Sequence, residues 1–187
     1  MRVTREQAAE NRGRIVDVAA QRFRERGFEG IGVSDLMKEA GLTHGGFYGH
    51  FGSKEELMAE AYRKALEHSH ADWRKRAEGS REPLVDMARH YLTTRHRDNP
   101  GRGCAVAALG ADVARQGPAV RQAFTEGLRT ALDFMAGLAQ GRTAKAKRRK
   151  AIQAYASWIG AMVLARAVDE PELSREILEA VVAETGR

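Results

Sequence analysis

Apolar residues recur along this chain with a helical period, and no segment shows the sustained apolar–polar alternation of a half-buried strand. The pattern predicts an all-α protein of about nine helices. The first spans about 6–26, with Ile15, Val18, Ala19 and Phe23 on one face and Gly27 as a C-terminal stop. A short second helix aligns Val33, Leu36, Met37 and Ala40 in one stripe, with Ser34 placed to cap it and Gly41 to end it. Residues 42–51 include Gly45, Gly46 and Gly49. Each glycine costs a helix about 1 kcal/mol relative to alanine, so this segment must be held by its neighbours. Ser53-Lys54-Glu55-Glu56 reads as a capping box opening a long helix to about residue 76. Further breaks predict helices over 82–98, 103–116, 118–140, 144–168 and 171–185. Pro83, Pro100, Pro118 and Pro171 all fall between helices or at their starts, where the missing N–H is tolerated.

Composition narrows the function classes. Hydrophobic residues at 43% and charged residues at 30% fit a folded globular chain. No run approaches the ~20 apolar residues of a membrane span, and the first fourteen residues lack the apolar core of a secretory signal. No membrane partner is expected for want of such a run, and the single cysteine, Cys104, which cannot form an internal disulfide, fits a reducing, cytoplasmic setting. The net charge of +6 suits an anionic partner. Yet residues 1–55 hold nine Lys/Arg against eight Asp/Glu, and residues 56–187 hold twenty-two against seventeen. A nucleic-acid site in the N-terminal part must therefore rest on local geometry. His68 and His70 are two apart and cannot share a helix face as metal ligands do, so neither metal nor cofactor is expected. A helical enzyme is the other class considered, but the chain has no nucleophile elbow and no phosphate loop.

Residues 33–54 pattern as two short helices around a glycine turn, the helix-turn-helix arrangement whose second helix lies in the major groove. Thr43 and His44 open that second helix, where side chains and free N–H groups reach base edges and phosphates. Gly45, Gly46 and Gly49 remove bulk and allow close approach to DNA. Phe47 and Phe51, four apart, should face the core, leaving Thr43, His44, Tyr48 and His50 outward. The basic residues Arg2, Arg5, Arg12 and Arg14 read equally as an arm for the minor groove or as a solvated terminus.

Residues 40–57, Ala-Gly-Leu-Thr-His-Gly-Gly-Phe-Tyr-Gly-His-Phe-Gly-Ser-Lys-Glu-Glu-Leu, resemble the tetracycline-repressor (TetR/AcrR) family at Thr43, Tyr48, His50, Phe51, Ser53 and Lys54. The resemblance implies a helix-turn-helix DNA-binding domain over 1–53 and a ligand-binding and dimerisation bundle over 54–187. It implies phosphate contacts at Tyr48, His50 and Lys54, and base-edge contacts at Thr43 and His44, with Gly45 between them. Ile31-Gly32 stands where the family often has a phosphate-contacting Thr, so that contact is not carried over. The implied function is a repressor, not an enzyme, that leaves a near-palindromic double-stranded operator when a small inducer binds. The dimer contact is expected from two apolar helices, one with Ile152, Ala156, Ile159, Gly160 and Val163, the other with Leu173, Ile177, Leu178 and Val181.

Two readings stay open in the bundle. Met87, Tyr91, Cys104, Phe124, Trp158 and Met162 are the candidate walls of a pocket for an apolar inducer, although aromatic and sulfur residues at helical spacing are core by default. Cys104 follows Gly101-Arg102-Gly103 at the start of the sixth helix, where the dipole and Arg102 favour thiolate. Some family members with a Gly-Cys pair there resemble electrophile sensors; the alternative is a small buried hydrophobe. The run Lys145–Lys150 reads as a solvated loop.

Overall fold

The computed structural model describes residues 4–185 and, among them, contains only helices and connecting turns. Nine α-helices follow in order: α1 Arg5–Arg26, α2 Val33–Glu39, α3 Lys54–Ala77, α4 Pro83–Tyr91, α5 Thr94–Asp98, α6 Ala105–Val113, α7 Pro118–Leu138, α8 Ala144–Ala167 and α9 Pro171–Glu184. Tight 3-10 turns occupy His44–Gly49 and Pro100–Arg102.

Local chemistry explains most of the boundaries. Thr4, Ser53, Thr93 and Thr143 each accept the backbone N–H three (Thr4, Ser53, Thr93, Thr143 to Gln7, Glu56, His96 and Ala146) residues on, which satisfies one of a helix's orphan donors. Proline opens α4, α7 and α9. Three expectations are corrected. The helix expected over 82–98 is broken at Leu92-Thr93, because the Thr93 hydroxyl caps a new helix, α5. The segment 42–51 closes as a 3-10 turn rather than a regular helix. The N-cap of α2 is Gly32, and Ser34 lies inside the helix without a capping bond.

The head packs Phe23, Phe28, Leu36, Met37, Phe47 and Phe51 into one core, all nearly inaccessible to water. The first half of α3, through Leu57, Met58 and Tyr62, belongs to that same core, while Leu66 and Trp73 further along it are buried in the C-terminal bundle. One helix therefore runs through both parts. Trp73 is the hub of the bundle, meeting Tyr155 and Trp158 edge-on at 5.6 and 6.3 Å between ring centres.

A polar lattice joins the bundle to α1. His96 bridges two segments: its Nδ1 lies 2.7 Å from the Tyr91 carbonyl, and its Nε2 accepts the Cys104 N–H at 2.9 Å. Those partners fix a neutral ring with the proton on Nδ1. A side chain on Gly103 would meet the His96 ring at 2.6 Å, so only glycine admits this approach. Arg166 donates to the His96 and Arg97 carbonyls at 3.0 and 3.1 Å. The buried Ser174 hydroxyl donates to the Ala165 carbonyl at 2.6 Å and accepts from Arg97 at 2.7 Å, tying α9 to α8 and α5. Arg24 of α1 donates twice to the Gly101 carbonyl, through Nε at 2.9 Å.

Burial, with Arg166 and His90 as lesser contributors, pushes the His96 pKa down to about 4 from 6.5. The unfolded chain thus takes up a proton that the folded chain refuses, and stability falls as pH drops from about 6.5 towards 4. His70 and His90, also lowered by burial, act in the same direction. At pH 5 the His96 contribution should reach about 2 kcal/mol. Urea midpoints measured between pH 7 and pH 5 should fall accordingly, and His96→Gln should be less stable at pH 7 but lose much of the slope. Equal slopes in the two proteins would rule this out.

Candidate nucleic-acid interface

The turn between α2 and the recognition segment is made by Gly41, whose φ of +71° is a left-handed conformation that a side chain would strain. The chain then enters the 3-10 turn through Thr43, in extended conformation and without a capping bond from its hydroxyl. Phe47 and Phe51 stack at 5.5 Å beneath the turn and anchor it to the head's core. Their burial replaces the helix propensity that three glycines forfeit, at roughly 1.5–3 kcal/mol for each large apolar side chain.

This anchoring presents the other side of the turn to solvent. Thr43, His44, Gly45 and Gly49 are exposed, and Tyr48 projects with 70% of its surface accessible. His50 is half-buried at the end of the turn, its N–H bonded to the Phe47 carbonyl at 2.9 Å. Gly45 and Gly49 have negative φ, and a Cβ at either would meet nothing within 4 Å. Neither conformation nor internal packing calls for glycine there. The bare patch matters only to something approaching from outside, and backbone that is not shielded by side chains can come close to a phosphate or a base edge.

Lys54 lies beside this face at the first position of α3, half-buried and 3.6 Å from Glu29. The next residue, Glu55, turns the opposite way, and its carboxylate accepts the Ala119 N–H at 3.2 Å at the start of α7. Thr43, His44, Gly45 and Tyr48 thus share the exposed side of the turn, while His50 and Lys54 follow it half-buried.

The basic arm is resolved differently. Arg2 lies outside the described residues. Arg12 and Arg14 belong to α1 itself: Arg12 pairs with Glu56 at 3.2 Å and with Glu60, and its guanidinium sits 4.3 Å over the Phe51 ring. Arg14 bonds Asn11 at 2.7 Å. Arg12 therefore fastens α1 to α3 rather than reaching outward, a role its position eight residues after Thr4 gave no sign of.

The six residues considered for a pocket are placed in the bundle's interior. Met87, Tyr91, Cys104, Trp158 and Met162 are buried and Phe124 half-buried, its ring 6.0 Å from that of Tyr62. Two open clefts exist elsewhere. One of about 610 Å³ lies between α4, α7, α8 and α9, and one of about 320 Å³ lies between α3 and α7; none of the six lines either. Around Cys104 stand the hydroxyls of Tyr91 and Tyr155 and the cations Arg24 and Arg166, not the exposed Arg102. Burial raises both phenols well above their ordinary pKa. Among the described residues, no three His, Cys, Asp or Glu side chains cluster to hold a metal, and no helix is long and apolar enough to cross a membrane.

Residues 15–61 match the family described as bacterial regulatory proteins, tetR family. The repressor KstR2 of Mycobacterium tuberculosis is 36% identical over 88 residues, which cover 47% of this chain and 44% of KstR2. The chain thus spans less than half of that relative's length. The repressor NemR of Escherichia coli is 26% identical over 168 residues, 84% of each protein. The crystal structure of its reduced form superposes with a TM-score of 0.78 at 24% identity, covering 94% of this chain and 95% of that one. A structure of AibR with isovaleryl coenzyme A and operator DNA has a TM-score of 0.66 at 15% identity, covering 94% and 98%. The match to the family lies on the head described above, and the likeness in fold extends over the bundle.

If the bare turn is the contact face, a Cβ there must obstruct it while leaving the fold intact. Gly45→Ala and Gly49→Ala should keep their thermal midpoints within a few degrees of the parent yet bind operator DNA at least about tenfold more weakly, roughly 1.4 kcal/mol. Tyr48→Ala and Lys54→Ala should weaken binding and reduce its salt slope, each by about one phosphate contact. Four variants that bind like the parent at every salt concentration would remove this face from consideration.

Proposed function

We propose, from the premise that residues 15–61 are a tetR-family DNA-reading segment on a tetR-family fold, that this protein is a dimeric transcriptional repressor released from its operator by a small molecule. The observation that carries the reading is the exposed recognition turn, with its glycines bare and its two phenylalanines buried beneath. The polar residues Thr43 and His44 face the base edges; Tyr48, His50 and Lys54 hold phosphates. One such head reads a half-site, so useful affinity calls for two copies on a near-palindromic duplex.

The dimer contact is assigned to α8 and α9. Ile152 and Val163 on α8 and Leu173 on α9 are large apolar side chains left 38–46% exposed in the single chain. Gly160 has nothing within 4 Å of where its Cβ would stand, which allows a second helix to come close. Ile159 and Ile177, half-buried, flank the stripe. A ligand that prefers one spacing of the two heads lowers DNA affinity by its differential affinity for the two states. The known AibR complex, with both coenzyme A thioester and DNA, supports a bundle that holds a ligand.

A second reading is favoured by the surroundings of Cys104. The buried hydroxyls of Tyr62 and Tyr91 have no hydrogen-bond partner of their own among the described residues, and Arg24 and Arg166 lie close to the same thiol. Such a setting can receive an added polar group, and its loop is fastened to α1 through Arg24. Alkylation there, with sulfur adding to a carbon–carbon double bond and the proton passing to the adjacent carbon, would displace the loop.

Gel shifts with the DNA flanking the protein's own coding region test both readings. The parent should shift a near-palindromic fragment, and Ile159→Glu or Ile177→Glu should yield a monomer in light scattering with at least about a hundredfold weaker binding. A monomeric parent at micromolar concentration would overturn the dimer. N-ethylmaleimide should release the parent but not Cys104→Ser from DNA if the thiol switch operates; no release in either would leave non-covalent induction alone.

A further inference from the structure

The larger cleft stands at the pole of the bundle opposite the DNA-reading head. Its lining comes from the start of α4, the end of α7, the first half of α8 and the end of α9, whereas the opposite ends of these helices approach α1 and the Cys104 loop. Pro83, Leu84, Leu138, Ala154 and Val181 form an apolar floor. Thr185 lies at one wall, and its hydroxyl accepts the indole N–H of Trp158 at 3.0 Å while donating to the Val181 carbonyl at 2.9 Å. A volume of about 610 Å³ falls in the range of small-molecule sites.

Charge at the mouth identifies the occupant. Arg81 and Lys150 line the cleft, and among the described residues neither is engaged in an ion pair. Lys147, one turn before Lys150, packs against Gly141, the neighbour of the lining residue Gln140. Lys145 and Arg149 complete the most basic run of the chain, whose one ion pair is Arg148 with Asp133 at 2.6 Å. The run begins at the N-terminus of α8, where the helix dipole adds positive potential and makes this density of cations unfavourable without an anion. Glu82 and Glu184 also line the cleft and balance Arg81 and Lys150 there, so the positive excess comes from Lys145, Lys147 and Arg149 of the adjoining run. On α8 the cleft residues Lys150, Ala154 and Ser157 lie nearly opposite the stripe of exposed Ile152 and Val163 and half-buried Ile159. A second copy docked on that stripe would leave this side of the helix open.

We infer that the polar cleft binds a small amphipathic anion, its apolar body on the Leu84–Leu138–Val181 floor and its carboxylate or phosphate head between Arg81 and Lys150. This rests on the bundle being the ligand-binding part, and it explains the basic run as the ligand's counter-charge. The Trp158–Thr185 bond places an optical reporter against the cleft wall.

Direct binding without DNA separates this inference from the operator assays. Sodium decanoate and decyl phosphate, titrated below their micellar range, should give saturable heats and a change in tryptophan fluorescence. Decan-1-ol, with the same tail and no charge, should bind at least about tenfold more weakly. Arg81→Glu with Lys150→Glu should weaken both anions by that factor or more and leave the alcohol unchanged. Ala154→Phe and the more exposed Ser157→Phe, each checked for an unchanged helical spectrum, should abolish binding of all three. Decanoate binding alone would identify a carboxylate site, and decyl phosphate alone a phosphate site. Equal affinity for alcohol and anions, no binding of either anion, or binding untouched by both phenylalanine variants would overturn the inference.

Discussion

The imidazole of His96, held between the Tyr91 carbonyl and the Cys104 N–H, joins the end of α4 to the start of α6. It helps hold the loop at 99–103 where Arg24 takes the Gly101 carbonyl, a directional contact between α1 and the bundle beside the apolar ones. Apolar contact is strong but non-directional. The two ring bonds and the Arg24 pair supply direction, and they hold the head at one orientation relative to the bundle. Partners so deeply desolvated are demanding, since a buried polar group left unpaired costs about 1–3 kcal/mol. The lattice therefore tolerates little partial loss.

Much of the fold was legible because its punctuation is local. Gly27 and Gly41 end α1 and α2 with positive φ, Pro118 and Pro171 open α7 and α9, and Ser53 caps α3 through its own hydroxyl. Each effect acts within about four residues, so the sequence displays cause and result side by side. The exposed side of the turn was legible for a related reason: Phe47 and Phe51, four apart, had to share the buried side, leaving Thr43, His44 and Tyr48 outward.

What escaped reading involves partners distant in sequence. Arg12 gave no sign of its engagement with Glu56 and Glu60, forty-odd residues on. Nothing local marked His96 as the residue that folding would bring against Cys104. The break at Thr93 was obscured because Leu92 continues an apolar stripe while the next hydroxyl quietly begins another helix. The glycines flanking Arg102 were the available sign, since paired glycines outside a turn of positive φ mark backbone against which something packs closely. The cleft at the far pole was hidden for the same reason: its floor comes from four helices, and its basic rim looks in sequence like solvated charge.

At the first turn of α3, adjacent residues face different worlds. Lys54 lies beside the recognition face, while the carboxylate of Glu55 takes the place of a missing N-cap on α7. Because these two side chains share one rigid turn of backbone, they work like the two ends of a very short seesaw. Whatever displaces the start of α7 acts, through Glu55, on the same turn of α3 that carries Lys54.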